Sequence, residues 1–415
     1  MGVFLKISLL AIGDELLKGE TRDLNLFWLG RFLRSIGHNL DTCLFSKDSE
    51  EKIVESIENL IEKTTPDLVI ISGGLGPTLD DVTKSAIGKL LKTSLVECEK
   101  AKSLVTEHYQ RFGKKWSPEL NYYHLLPQGV TPINNPKGLA PGLFCTHKKT
   151  SIICAPGVPK EFNSMLEEFF HHHYREIINP ETCYLYLKTR GVPEEKIFNE
   201  IAPDLWDELS QFGSVSSYPR LTGIDILIDQ IKQEDKEKIK ELPSVKLLYP
   251  YIWQAGNLSL EEYIIKKLKE KNLSVATAES CTGGLVASML TDVSGSSDVF
   301  IGSVVSYSND IKMDQLDVSP IDIEKYGAVS EQVAKQMAIG VRERFDVEIS
   351  VSTSGIAGPG GGTKEKPVGT IAVGVSSSKG DYSKMYQLRD EGRTKTKNRF
   401  AVCALLSLLN FIQKN

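Results

Sequence analysis

At 415 residues the chain exceeds what one ordinary core can bury, and it calls for two or three domains. A composition of 41% hydrophobic and 25% charged residues excludes disorder, coiled coil and collagen-like structure, and a net charge of -5 argues against chain-wide attraction to nucleic acid or anionic membrane. No apolar run reaches membrane-spanning length and the N-terminus lacks the basic, apolar and small-residue series of a secretion signal, so the expected location is the cytoplasm.

The chain opens with an apolar strand, Ile7 to Ile12, ending in Gly13-Asp14-Glu15. Leu29, Phe32, Leu33 and Ile36 then repeat at helical spacing before Gly37, and Ile53, Ile57 and Ile61 mark a second helical face. Leu68 to Ile71 is a fully apolar strand, and Thr83 to Leu91 is a helix. Alternating strand and helix with glycine-rich turns at strand ends imply a mostly parallel sheet with ligands at its C-terminal edge.

Between that strand and helix lies Ser72-Gly73-Gly74-Leu75-Gly76-Pro77-Thr78-Leu79-Asp80-Asp81-Val82-Thr83-Lys84. Its three glycines expose backbone N–H groups as an anion-binding nest requires, and Asp80 and Asp81 are placed to hold a divalent cation that bridges to a phosphate. Asp14 and Glu15, at the earlier strand end, are expected to face the same crevice. The plainer reading is that one aspartate caps the helix at Thr83. Two acidic strand ends and otherwise unexplained glycines favour the phosphate and metal site.

The stretches Ala11 to Asn25, Ser72 to Lys84 and Ala155 to Phe162 resemble the N-terminal domain of the CinA family, itself similar to the molybdopterin-binding MogA/MoaB fold. The resemblance implies an α/β sandwich over residues 1–174 that holds a nucleotide or pterin phosphate at Gly13, Asn25, Gly73, Gly74, Gly76 and Thr78. It also implies metal-dependent ADP-ribose pyrophosphatase activity, with Asp14, Glu15, Asp80 and Asp81 around a divalent metal ion of open identity, with K+ as an option beside it.

From Arg175 the texture changes. Strands at Tyr184 to Lys188 and Ile224 to Ile228, a helix at Glu194 to Ile201 and a sign-alternating, solvated helix at Lys232 to Lys240 make a small α+β unit over residues 175–254. The family resemblance gives this region a KH-type-like fold, yet no basic G-x-x-G clamp is present, so RNA binding is not inferred.

The last segment, residues 255–415, begins with a helix through Leu260, Ile264, Ile265 and Leu268. The stretch from Ala276 to Lys312 then reads as a strand, a tight turn at Ser280-Cys281-Thr282-Gly283-Gly284, a helix, and a second strand at Ser303 to Ser306 that delivers Tyr307, Asn309 and Lys312. Small residues at the turn would let ligand oxygens approach unpaired helical N–H groups. Serine hydroxyls, a phenol and an amine in one window suggest covalent chemistry. A glycine-rich loop spans Ser354 to Thr370, and a closing helix carries Phe400, Leu405 and Leu409. The seven cysteines form no C-x-x-C pair, and Cys281 at the start of a buried helix is expected to pack as a small hydrophobe. His171-His172-His173 reads as a solvated helix end rather than a metal site.

Four stretches of this segment, at Ala276 to Gly284, Gly295 to Lys312, Gly327 to Ala338 and Ser354 to Thr370, resemble the PncC-type C-terminal domain of the same family. That resemblance implies an α/β amidohydrolase that removes ammonia from the carboxamide of nicotinamide mononucleotide, with no cofactor at that site. No histidine follows Lys148 except at 171 to 173, so lysine must take the base role of a Ser-His-Asp triad. Ser280 is the expected nucleophile and Lys312 its base, with Tyr307 positioning the lysine or relaying a proton. Ser297 and the N–H groups of Cys281 and Thr282 are candidates for an oxyanion hole. Gly283, Asn309, Ser354, Gly358 and either Arg393 or Arg399 are expected around the substrate, the arginine on its phosphate. On spacing alone, Ser280 as an N-cap and Lys312 as a surface cation is an equal reading, and the resemblance tips it toward catalysis. Small-molecule nucleotides, no direct nucleic acid, no membrane and a homodimer are the expected partners. A pterin-binding N-terminal module without turnover, or an adaptor for DNA uptake or repair, are the alternatives.

Overall fold

The computed structural model describes residues 5–175 and 182–414. The chain divides into two compact units, Met1–Tyr184 with Gln230–Gln233 and Leu185–Asp229 with Glu234–Asn415. Both are mixed α/β.

In the first unit β1 (Ile7–Ile12), β2 (Leu40–Ser46) and β3 (Leu68–Ser72) precede a small pair, β4 (Leu95–Glu97) with β5 (Leu125–Pro127), and then β6 (Thr131–Ile133), β7 (Gly142–His147) and β8 (Thr150–Ala155). The main sheet has the order β2-β1-β3-β8-β7-β6. Its first four strands are parallel, while β7 pairs antiparallel with β8 and β6 pairs antiparallel with β7. Period-two alternation decides which helices cover each face. Leu10, Ile12, Val69 and Ile71 meet Ile53 and Ile57 of the helix Glu50–Thr64 and Ile87 of the helix Thr83–Leu91. Leu9, Leu68 and Ile70 meet Leu29 and Leu33 of the helix Leu24–Ser35 and Phe162, Phe169 and Phe170 of the helix Pro159–His173. Because both faces are covered, β3 is buried along its whole length.

The second unit carries two sheets. β9 (Thr182–Thr189), β10 (Ser214–Pro219), β11 (Ile224–Lys232) and β12 (Ile252–Ala255) take the order β10-β11-β9-β12. The expected helix at 194–201 is a short α turn, Glu194–Lys196, that widens into a π-type turn, Ile197–Ile201. The capping box of Ser259 with Glu262 then starts the helix Leu260–Lys271, which leads into β13 (Val275–Glu279).

β13, β14 (Phe300–Val305), β15 (Ile349–Gly355), β16 (Thr370–Ser377) and β17 (Gly380–Gln387) form the last sheet, in the order β14-β13-β15-β16-β17. β13 lies between two parallel neighbours, so its C-terminal end, Glu279, sits beside the ends of β14 and β15. One face is covered by the helix Glu331–Phe345 through Val333, Met337 and Val341. Phe400, Leu405 and Leu409 of the terminal helix Arg393–Lys414 cover the other, together with Ile264 and Leu268. Full burial of each such side chain contributes roughly 1.5–3 kcal/mol.

Candidate functional site

The C-terminal edge of β13 brings together residues that lie 32 positions apart in the chain. Ser280 directly follows the strand, and its N–H donates to the Thr353 carbonyl of β15 at 2.9 Å. On the other side the chain leaves β14, and Ser306 donates its N–H to the Glu279 carbonyl at 2.8 Å. Ser308 then caps the helix Asn309–Leu316, accepting the Ile311 N–H at 3.2 Å, and this start points Lys312 back toward the strand ends.

Lys312 is 1% exposed and its Nζ lies 3.2 Å from Ser280 Oγ. The same nitrogen donates to the carbonyls of Ser306, Tyr307 and Ser308 at 2.9, 3.3 and 3.4 Å. Burial pulls this amine below its ordinary range. The Tyr307 ring does not take the expected part. It is 64% exposed, and its phenol oxygen accepts from Arg393 Nη2 at 3.2 Å, so Tyr307 positions the lysine through its main chain.

Glu279 is the residue that sequence reasoning missed. Its buried carboxylate accepts the N–H groups of Gly284, Val286 and Ala287 at 2.9, 3.1 and 2.8 Å. The start of the helix Leu285–Thr291 is therefore filled by the protein's own carboxylate, which corrects the expectation that ligand oxygens dock there. The signal was legible as an acid just ahead of an unusually small turn. Between strand and helix, the N–H groups of Cys281, Thr282 and Gly283 have no carbonyl partner among the described residues, and Thr282 Oγ1 is held by Thr353 Oγ1 at 2.7 Å. Burial pushes the Cys281 thiol up to about 12, and its sulfur packs in the core as expected of a small hydrophobe.

Three further expectations are corrected by position. Ser297 is exposed in the turn before β14, and parallel pairing puts that turn at the opposite sheet edge from Ser280. The Ser354 hydroxyl is buried and donates to the Ala328 carbonyl at 2.7 Å, tying a loop rather than presenting itself at the site. Arg399 pairs with Glu391 at 2.9 Å and lines a separate cleft. Arg393 is the arginine at the site: its Nη1 donates to the Gly358 carbonyl at 2.5 Å, linking the glycine-rich loop to Tyr307. Asn309 is exposed at the helix start nearby. Lys397, one turn beyond Arg393, also reaches the turn, its Nζ lying 3.6 Å from where a Cβ on Gly283 would stand.

In the first unit, the ends of β1 and β3 border a cavity of about 600 Å³. Gly13, Glu15, Gly73, Gly74, Gly76, Asp80 and Asp81 line it as expected, with Lys114 and Lys137 opposite. Asp48, just beyond β2, is an additional acid there. It accepts the Asp14 N–H at 2.7 Å, and burial raises its carboxyl, as do the nearby Glu15, Asp14 and Asp80.

The glycines have a structural reason of their own. Gly73 has φ +110 with the Ile12 carbonyl 2.5 Å from where its Cβ would be, and Gly74 has φ +68 against the Thr83 side chain. Asn25 is turned into the fold, donating to Ser72 Oγ and the Gly157 carbonyl at 2.8 Å each. Thr78 donates its N–H to Asp81 Oδ2 at 2.9 Å, so Asp81 closes the loop, and Asp14 pairs with Lys18 at 3.1 Å. The helix at Thr83 has no side-chain cap, so neither aspartate serves as one. Among the described residues no three His, Cys, Asp or Glu side chains converge as a metal-ligand set. The expected metal quartet of Asp14, Glu15, Asp80 and Asp81 is therefore not assembled in this arrangement, and the His171 to His173 run offers none either.

An N-terminal α/β unit with a glycine-rich loop at its strand ends, followed by a domain that buries a serine and a lysine together, makes a two-unit α/β protein. Residues 8–176 match the family model described as "Probable molybdopterin binding domain", and residues 257–412 match "CinA C-terminal domain". The chain is 34% identical to a CinA-like protein of Chlorobium limicola, covering 98% of this chain and 97% of that one. It is 35% identical to a CinA-like protein of Fusobacterium nucleatum over 99% of each. The crystal structure of a competence/damage inducible protein from Agrobacterium tumefaciens is 42% identical over 36% of this chain and 93% of its own, with a TM-score of 0.35. The chain belongs to the CinA family. Among the described residues, no helix is long and apolar enough to cross a membrane.

Proposed function

We propose that the second unit hydrolyses the carboxamide of nicotinamide mononucleotide to nicotinate mononucleotide and ammonia. The observation that carries this reading is the buried contact of 3.2 Å between Lys312 Nζ and Ser280 Oγ, with burial favouring the neutral amine a base must be. Lys312 takes the Ser280 proton as Oγ attacks the carboxamide carbon. The N–H groups of Thr282 and Gly283, which have no carbonyl partner among the described residues, would receive the resulting oxyanion. The proton on Lys312 then passes to the departing nitrogen, which leaves as ammonia, and water releases the nicotinate ester from Ser280. Arg393 and Lys397 supply positive charge for the substrate's phosphate. The test is ammonia release by the purified protein, with Ser280→Ala and Lys312→Ala alongside. Release unchanged in either variant would sink the assignment.

A second site binds a phosphate-bearing nucleotide or pterin in the cavity of the first unit. What supports it is a lining that pairs glycine-rich backbone with Lys114 and Lys137. Pyrophosphate cleavage of ADP-ribose is the turnover the family resemblance adds. Binding of ADP-ribose against molybdopterin, followed by an assay for ADP-ribose cleavage with a panel of divalent metals, separates a catalytic site from a binding module. If neither ligand bound, the assignment would fail.

A further inference from the structure

Within the second unit a cleft of about 750 Å³ opens between the turns after β9 and β10 and the outer face of the terminal helix. In a chain of net charge -5 its lining holds Arg190, Arg220, Arg399 and Lys414 and, among the described residues, no aspartate or glutamate. The cavity of the first unit, by contrast, is lined by Glu15, Asp48, Asp80, Asp81 and Glu161.

Arg190 is the telling group. It is half-buried, burial lowers its pKa, and among the described residues no ion pair compensates it. Among the described residues its Nη2 donates only to neutral amide oxygens, Asn410 Oδ1 at 3.2 Å and Gln413 Oε1 at 3.4 Å, and its buried Nη1 has no partner. A guanidinium drawn out of water without a counter-charge is costly, and an anionic ligand is what would offset that cost. Arg399 and Arg220 each have one carboxylate contact, to Glu391 at 2.9 Å and to Asp225 at 3.6 Å, which leaves further donors on both. Part of the lining is different in kind: Val402 and Leu406 of the terminal helix, Leu388, and the ring of Tyr386. Guanidinium groups match phosphate oxygens, whereas an aromatic and aliphatic wall matches a flat ring. The volume suits a single small molecule.

We propose that this cleft binds a phosphorylated nucleotide, its phosphate held by Arg190 and Arg220 and its base laid against Tyr386, Val402 and Leu406. It is a third site, separate from the Ser280 centre and from the cavity of the first unit, and it stands whether or not the amidase assignment holds.

Hydrogen–deuterium exchange on the full chain tests it, with AMP as the probe and adenosine and inorganic phosphate as controls. AMP should slow exchange in residues 190–192, in 220–223 and in the last turns of the terminal helix. Adenosine should do so far less, and phosphate should bind more weakly than AMP. Arg190→Gln and Arg220→Gln should each weaken the AMP effect roughly tenfold, the size of one charge-assisted hydrogen bond. Arg220 is more than half exposed in its side chain, so its replacement tests the site even if Arg190→Gln unfolds the protein. Protection confined to residues 72–81 or to the turn after Ser280 would overturn the proposal. So would equal protection by adenosine, phosphate binding as tight as AMP binding, or unchanged binding in Arg220→Gln.

Discussion

The Ala287 N–H donates to the Glu279 carboxylate at 2.8 Å, across the turn that contains Ser280. Ser280 therefore stands between a strand end and a helix start that one side chain joins. In Glu279→Gln one carboxylate oxygen becomes an NH2 group facing backbone donors. Leaving a buried N–H unpaired costs about 1–3 kcal/mol. Ammonia release should fall with it, because the turn loses its anchor. Denaturant midpoints and turnover of the variant check this, and wild-type values in both would show that the carboxylate is dispensable.

The Lys312 amine gives the pH dependence a definite sign. Burial lowers it from 10.5 in the folded protein, while the unfolded chain keeps the ordinary value and so holds more protons in the interval between the two. Stability tied to this group is lowest below the folded pKa and rises as pH climbs through the interval toward 10.5. Amidase activity should rise over the lower part of the same range, as the base becomes neutral. Lys312→Met should lose both dependences and Lys312→Arg, which stays protonated, should be inactive. A pH–rate profile beside urea midpoints at the same pH values makes the comparison.

Cys281 adjoins Ser280, but its thiol, pushed up to about 12 by burial, stays protonated at neutral pH. Thiol reagents should leave the native enzyme active. Cys281→Ala should keep turnover within a few-fold while lowering stability by about 1 kcal/mol for the lost packing. Inactivation by a thiol reagent that the Cys281→Ala variant escapes would contradict this.

Arg393 and Arg399 lie two turns apart on one helix, yet only the first contacts the glycine-rich loop. Arg393→Ala should raise KM for nicotinamide mononucleotide at least roughly tenfold, as loss of a charge-assisted contact predicts, and Arg399→Ala should leave it near wild type. Ser297→Ala, at the far sheet edge, should change nothing. Steady-state kinetics on the three variants decides the assignment.

The strands were legible as short apolar runs, as in Ile7–Ile12 and Leu68 to Ile71, and the helices as repeats near period 3.6, as in Ile53, Ile57 and Ile61. The closeness of Ser280 and Lys312 was suggested by the family resemblance, since spacing alone left it even with an N-cap and a surface cation; β13 and β14 pair in parallel and bring the turns that follow them to one end of the sheet. What failed was direction. Spacing says that Tyr307 is near Lys312, but not that its ring turns outward while its carbonyl turns in. Nor could it show that Ser297, only 17 residues after Ser280 in the chain, sits at the opposite sheet edge. The glycines of the 72–84 loop suggested a ligand because their other partners, the Ile12 carbonyl and the Thr83 side chain, are contacts made only in the folded chain.

The terminal helix, residues Arg393–Lys414, contributes Phe400, Leu405, Leu408, Leu409 and Ile412 to the core beneath β13, and Arg393 to the mouth of the Ser280 site. During synthesis these residues emerge after every strand of that sheet. Every earlier strand of the sheet can be out of the ribosome while one face still lacks its cover. A chain released a few turns short would thus carry the serine and the lysine but not the packing that holds them 3.2 Å apart. The order of translation leaves Ser280 and Lys312 without that cover until this helix has emerged.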